Sequence, residues 1–270
     1  MKTEGRGCVF ESILVSGYTS KMKKKALVTG ASGGIGEAFA RALARDGYTV
    51  TAVARSEEKL QALTASLVGE GHRHEVADLT KGEDVERIAT LFASEHYTLL
   101  VNNAGAGWYE PFAEAEITRA ENVVSLNISS VVALSHAFLR HAERGDALLN
   151  VASILGLLPY PTGAVYAASK AFVLSFSEAL WYEQKGRGVY VQALCPGVTA
   201  SNFHVAAGGA PHEQPSAWLT QSAEEVVDEA LTAIERRAKP TVVANWKNKV
   251  MLLFARFLSR KRVVLLTGKW

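Results

Sequence analysis

Two cysteines in 270 residues, Cys8 and Cys195, are too few and too far apart to build a disulfide framework. The seven histidines do not supply a metal site either. His72 and His74 have no cysteine or Glu-x-x-His partner nearby, and His136 and His141 stand five apart on different faces of a helix. No metal is expected, and the sparse cysteines fit a reducing cytoplasm. Proline is scarce, and no proline- or serine-rich linker divides the chain, so one domain with a sizeable core is favoured over two small ones. Charge of one sign is lacking as well. Against 29 Lys and Arg stand 27 Asp and Glu, a net +2 that gives no footprint for nucleic acid. Residues 1–21 lack the apolar centre and cleavage site of a secretory signal, having only a brief apolar stretch at 13–15. They are expected to form a disordered upstream extension without catalytic role.

What is present is an alternation of apolar strands and helical patterns. Strands are predicted at 25–29, 48–54, 73–77, 98–101, a run ending at 153, 189–194 and 241–244. Helices are predicted at 37–45, 57–67, 82–94, 117–140, from Tyr166 to about 184, and at 223–237. This order argues for a doubly wound α/β fold, a parallel sheet of about seven strands covered by helices on both faces. One domain is expected over residues 22–245, followed by a basic amphipathic tail over 246–270.

Two groups of residues carry chemistry. The first strand is followed by Gly30-Ala31-Ser32-Gly33-Gly34-Ile35-Gly36 and then a helix. That order places backbone N–H groups at a helix N-terminus, where glycines let a pyrophosphate approach. The spacing is neither Gly-x-Gly-x-x-Gly nor a P-loop, since no Gly-Lys-Ser/Thr follows. The second group is Ser153, Tyr166 and Lys170. A free phenol has a pKa near ~10, too high for a proton donor and acceptor at neutral pH. Lys170, one turn on at i+4, is expected to favour the phenolate and lower that value. Ser153 can hydrogen-bond an oxygen that gains charge. All of these residues lie at carboxyl ends of strands or on the helix that follows, where ligands bind in such sheets.

Together these residues resemble the short-chain dehydrogenase/reductase family, in its shorter single-domain branch, and within it NADP-dependent reductases of undefined substrate. The glycine motif Thr-Gly-x-x-x-Gly-x-Gly is matched from Thr29 to Gly36, and Asn-Asn-Ala-Gly by Asn102-Asn103-Ala104-Gly105. Asn127, Ser153, Tyr166 and Lys170 match the active-site positions, and Pro196-Gly197 the turn after the sixth strand. One departure stands at Ser201, where the family often has threonine. The resemblance implies a Rossmann-like fold and a nicotinamide cofactor. It places Thr29, Gly30, Ser32, Gly33, Gly34, Ile35 and Gly36 at the dinucleotide, Asp78 and Leu79 at the adenine, and Asn103, Ala104 and Gly105 beside the cofactor. Pro196, Gly197, Val198 and Ser201 would border the nicotinamide. Tyr166 and Lys170 would also touch the cofactor, Lys170 through the ribose hydroxyls, and Asn127 would help order a water in a proton relay. Asn102 is expected to be structural.

The cofactor choice turns on the end of the second strand. Val53-Ala54-Arg55-Ser56 has no acid to hold a ribose diol, whereas Arg55 can form a fork of bonds to a 2′-phosphate, so NADP(H) is expected over NAD. Ser32 could add a hydroxyl. In reduction, Ser153 would hold the carbonyl oxygen while Tyr166 donates the proton. Substrate walls are expected from Trp108, Tyr109, Leu155, Leu157, Leu158, Tyr160, Phe203 and Trp218, a lining suited to an apolar ketone or alcohol. Arg119 and His204 are polar exceptions without an assigned place. Two other functions share parts of this pattern: an NADP(H)-binding redox sensor without turnover, and a nucleotide-sugar epimerase, which would have a longer chain and a different glycine spacing.

The tail from 246 to 270 holds seven Lys and Arg and no acid, with Val250, Leu253, Phe254, Phe257 and Leu258 on one helical stripe. It is too short and too charged to span a bilayer. A helix packed on its own domain or dimer is favoured over a lid or a membrane-surface contact. By resemblance, the helices carrying Asn127 and Tyr166 would form the interface of a homodimer or homotetramer.

Overall fold

The computed structural model describes residues 24–200, 203, 207, 218 and 220–268. Residues 1–21, Ser201 and His204 therefore lie outside the described residues.

Seven strands run parallel: β1 (Lys25–Thr29), β2 (Thr49–Ala54), β3 (Arg73–Val76), β4 (Leu99–Asn102), β5 (Ala147–Val151), β6 (Tyr190–Cys195) and β7 (Thr241–Val243). Their order in the sheet is β3-β2-β1-β4-β5-β6-β7. The order reverses between β1 and β4, which opens a crevice at their carboxyl ends. Strand side chains alternate between two cores, as a strand buried on both faces requires. Ala26 and Val28 join one core, with Phe39 and Leu43 of α1 (Gly34–Arg45) and Leu60 of α2 (Glu57–Ser66). Leu27 joins the other, with Ile88 and Phe92 of α3 (Gly82–Ser94).

Element ends fall within three residues of the sequence expectation. One element differs in kind. The long helix expected over 117–140 is α4 (Ile117–Val124), a π-helical turn (Ser125–Ser129) and α5 (Ser130–His141). The wider turn brings Asn127 to complete burial between β4 and the next long helix, α6 (Ala164–Gln184). The segment from Ile117 to His141 is long and apolar enough to cross a membrane by length and composition, and it is a core helix of this sheet: Leu134 and Phe138 pack in the α3 core.

A polar ladder crosses the interior beside the site. Asn102 and Asn150 are register partners on β4 and β5. Asn102 Nδ2 donates to Ser135 Oγ (3.1 Å) and to Asn150 Oδ1 (2.9 Å), and Asn150 Nδ2 donates to Ser177 Oγ (2.9 Å). All four side chains are buried and paired, which places Asn102 in the structural role expected for it.

After β6 come α7 (Ala223–Arg236), opened by a capping box between Ser222 and Glu225, then β7, α8 (Trp246–Ala255) and α9 (Arg260–Thr267). The tail is only partly packed on its own domain. It is two short helices rather than one stripe, with Ser259 capping the second. The apolar stripe is not covered by its own domain: Phe254 is 69% exposed and Phe257 81%. Periodicity identifies such a stripe without saying what covers it.

Candidate active site

The glycine turn is held by its neighbours through hydrogen bonds. Thr29 Oγ1 accepts from the backbone N–H groups of Asn103 (2.9 Å) and Ala104 (3.0 Å). Asn103 Nδ2 donates to the carbonyls of Thr29 (2.9 Å) and Gly30 (3.3 Å). The N–H of Ala31 reaches Val53 O at 3.1 Å, which ties the turn to the end of β2. Gly36 is buried so close to this turn that a Cβ there would overlap the Gly30 carbonyl oxygen. At Gly33, by contrast, a Cβ would meet nothing within 4 Å. The first turn of α1 has no side-chain cap, so its N–H groups are left to a ligand or water. An anion-binding cradle of this shape fits the pyrophosphate of a nicotinamide dinucleotide.

Arg55 lies two residues beyond Val53 and is exposed. Among the described residues no carboxylate pairs with it. Asp78 sits in the turn after β3, where its Oδ1 accepts from Thr80 N (3.1 Å) and Thr80 Oγ1 (2.8 Å). Leu79 is buried in the α3 core. Pro196 O accepts from Ile154 N at 3.0 Å and Val198 O from Gln221 N at 3.0 Å, so the turn after β6 is fixed at both ends.

Ser153, Tyr166 and Lys170 converge. Ser153 Oγ accepts from Leu155 N at 3.1 Å, and its hydroxyl acts on the Tyr166 phenol, opposing the rise that burial causes. Lys170 Nζ donates to Val151 O at 2.7 Å and stands 5.9 Å from the centre of the Tyr166 ring. A Cβ on Gly105 would lie 3.3 Å from Lys170 Nζ and 3.2 Å from Asn127 Oδ1, so these three positions share one wall. Burial governs the protonation of the pair. It pushes the Tyr166 phenol up to about 12, against the opposing hydrogen bond from Ser153. It pulls the Lys170 ammonium down to about 8. The expected lowering of Tyr166 is therefore reversed: burial sets the direction, and the influence that opposes it is Ser153. Sequence spacing gives the neighbour and not the solvent.

Asn127 is tied at both ends. Its Oδ1 accepts from Ala106 N (2.9 Å), and its Nδ2 donates to Ala106 O (3.0 Å) and Ser169 Oγ (2.9 Å). Ser169 Oγ in turn donates to Tyr166 O at 2.7 Å. The amide thus braces the loop after β4 against α6, and one lone pair of Oδ1 remains. Ser169 carries no sequence signal beyond lying three residues after the tyrosine. Asn248 is a second residue that the sequence reading missed. Its side chain is buried against Gly197, and nothing in a basic, apolar tail singles it out.

The expected substrate walls separate into two sets. Tyr109 meets Tyr166 edge-on at 6.1 Å and Tyr160 at 5.7 Å, and Phe203 lies 5.6 Å from Tyr166. Trp108 instead is core, buried with Ala120 and Val123, its Nε1 donating to Glu110 Oε2 at 3.0 Å. Trp218 is 62% exposed, with Lys247 Nζ 4.7 Å from its ring centre. Leu158 is buried and Leu157 is partly exposed. Arg119 faces Glu110 at 3.7 Å.

The depressed lysine has a measurable consequence for the cofactor-free protein. Between pH 8 and 10 Lys170 is protonated in the unfolded chain and neutral in the folded one, so unfolding takes up a proton and stability rises with pH. Cys195 and the buried tyrosines, raised by burial, act in the opposite direction as pH rises. The lysine's share, on the order of 2 kcal/mol across this window, is read in urea titrations as the difference in pH slope between the chain and Lys170→Met. An identical pH slope in the variant would show that the lysine is not desolvated.

A parallel sheet with a glycine turn at its switch point and a buried serine, tyrosine and lysine beside it defines a Rossmann-type nucleotide-binding protein. Residues 24–209 match the family model of the short chain dehydrogenases, and the chain belongs to that family. The mouse 17-beta-hydroxysteroid dehydrogenase type 3 is 33% identical over 69% of this chain, and the match spans 64% of the mouse protein, under two thirds of its length. A second mouse relative, inactive hydroxysteroid dehydrogenase-like protein 1, is 30% identical over 86% of this chain and 72% of its own. Among solved structures, a short-chain dehydrogenase from Sphingobium yanoikuyae in complex with NADPH is 29% identical. It aligns over 86% of this chain and 93% of its own, with a TM-score of 0.77.

Proposed function

We propose that the chain is an NADP(H)-dependent oxidoreductase interconverting a carbonyl and an alcohol on an apolar small molecule, with Tyr166 as proton donor in reduction and acceptor in oxidation. The observation that carries this reading is the convergence of buried Ser153, Tyr166 and Lys170, with Lys170 Nζ 5.9 Å from the Tyr166 ring centre, at the carboxyl edge of the sheet and next to the glycine cradle.

The cofactor would be held by the turn from Thr29 to Gly36, with Arg55 at the 2′-phosphate, Asp78 and Leu79 at the adenine, and Asn103 to Gly105 along one side. Bound there, its nicotinamide would supply or accept a hydride. Every other task falls to side chains. Ser153 stabilises negative charge developing on the substrate oxygen. Tyr166, kept neutral by burial, holds its proton on the phenol oxygen until that charge develops. Lys170, with a pKa of about 8, is mostly ammonium at neutral pH and stabilises the phenolate left behind. The spare lone pair of Asn127 Oδ1 can hold a water for proton return. Tyr109, Tyr160 and Phe203 exclude bulk water around the phenol and favour an apolar substrate. The hydroxysteroid dehydrogenase among the relatives supports that substrate class.

Fluorescence titration with NADPH and NADH, followed by assays on apolar ketones, tests the reading. Tight NADPH binding, weak NADH binding and turnover are expected. Arg55→Ala should weaken NADPH roughly tenfold to a hundredfold, the loss of a charge-assisted fork, and leave NADH unchanged. Unchanged NADPH affinity would remove the cofactor assignment and keep the dehydrogenase. A relative named inactive favours one second reading, an NADP(H)-binding redox sensor. Tight NADPH binding without turnover on any ketone or alcohol would select it.

A further inference from the structure

The catalytic reading makes no use of α8 and α9. Yet nine of the eighteen exposed large apolar side chains among the described residues fall between Trp246 and Leu266. Trp246, Phe254, Phe257 and Leu265 are all more than half exposed. The charged residues interleaved with them are all cations. The last 25 residues hold seven of the chain's 29 Lys and Arg and none of its 27 Asp and Glu, which leaves 22 basic against 27 acidic residues, a net −5, for the remainder. Lys247 is occupied by Trp218, and Lys249 faces Glu229 at 3.4 Å. Arg256, Arg260, Lys261 and Arg262 have no carboxylate partner among the described residues.

The charge decides what can cover this face. A second copy meeting it symmetrically would bring like charges together. An anionic surface would satisfy the cations and take up the aromatic side chains at once. Aromatic and leucine side chains between snorkelling Lys and Arg, on helices of 10 and 8 residues, suit the headgroup boundary of a bilayer and not its span. We infer that α8 and α9 form an interfacial platform that binds the surface of a bilayer containing anionic phospholipid.

The platform is joined rigidly to the body. Asn248 Nδ2 donates to Ala244 O at 2.8 Å and is seated against Gly197. Thr267 Oγ1 donates to Pro159 O at 2.8 Å, one residue before Tyr160. Two of its attachments are therefore the turn after β6 and the loop before α6, and that loop carries Tyr160 of the aromatic group. The net −5 of the remainder is repelled by the surface that attracts the tail, which orients the molecule. The inference does not depend on turnover.

Flotation of the full chain with vesicles of phosphatidylcholine, with and without phosphatidylserine, tests it. Binding is expected with phosphatidylserine only, and roughly molar salt should release it. Replacing Arg260, Lys261 and Arg262 together by glutamine should lower affinity on the order of a hundredfold, at about fivefold per cation. Phe254→Ser with Phe257→Ser should also weaken binding, and because both side chains are exposed the thermal unfolding profile should not move. The inference is overturned if the chain fails to float at low salt, or if both variants float like the parent. It is also overturned if light scattering finds a dimer that Phe254→Ser with Phe257→Ser dissociates, which would give the face to a second copy.

Discussion

Tyr166→Phe is expected to lower turnover by about a thousandfold, within the range that a positioned proton donor contributes. NADPH affinity should stay within about twofold, because the ring that packs against Tyr109 and Phe203 is retained. The oxygen is the only atom removed. Without it, no phenol remains beside Ser153 to give a proton to a developing alkoxide. Lys170 does not substitute, since its Nζ is turned to Val151 O. The variant should also be at least as stable as the parent below pH 10: a buried hydroxyl is lost, and Ser153 remains bonded to Leu155 N. Wild-type turnover in Tyr166→Phe would remove the tyrosine from the mechanism. Lost cofactor binding would mean that the phenol holds the cradle together.

Gly36→Val acts at the other end of the crevice. A Cβ at 36 would lie 2.7 Å from the carbonyl carbon of Gly30 and would overlap its oxygen. Neither neighbour can yield cheaply. Gly30 has φ +67°, and its carbonyl is bonded by Asn103, which also holds Thr29. The branched side chain must push the turn off α1, the geometry on which the anion cradle depends. NADPH binding is expected to become undetectable by fluorescence titration, with about 1–3 kcal/mol of overpacking strain in urea unfolding. Gly186→Ala is the control, because nothing lies within 4 Å of a Cβ there and the residue is outside the glycine turn. Equal NADPH affinity in Gly36→Val and Gly186→Ala would show that the turn is not where the dinucleotide sits.

The parts of this molecule that follow from short-range chemistry are readable in its sequence. A glycine turn between an apolar strand and a helix can do few things, and Tyr166 and Lys170 face the same way once they share a helix. The π-helical turn is not readable, since the stretch from Ile117 to His141 contains neither proline nor glycine. It is set by what Asn127 must reach, a loop 21 residues away in sequence. The rise of Tyr166 is hidden for a related reason, because burial comes from Tyr109 and Phe203, which only the fold brings near. Trp108 and Tyr109 are adjacent and chemically alike, yet one faces core and the other the site. Composition does not distinguish them, and neither does the periodicity of a loop.

The ladder from Ser135 through Asn102 and Asn150 to Ser177 has a consequence for how the chain reaches this state. If β4 slid by a single residue against β5, the two asparagines would point to opposite faces and four buried polar groups would lose partners together. Apolar neighbours such as Leu100 and Leu148 would tolerate that slip far better. The ladder therefore ties the alignment of β4 and β5 to the strand ends where the site is built, so that a chain with these strands out of register is destabilised there.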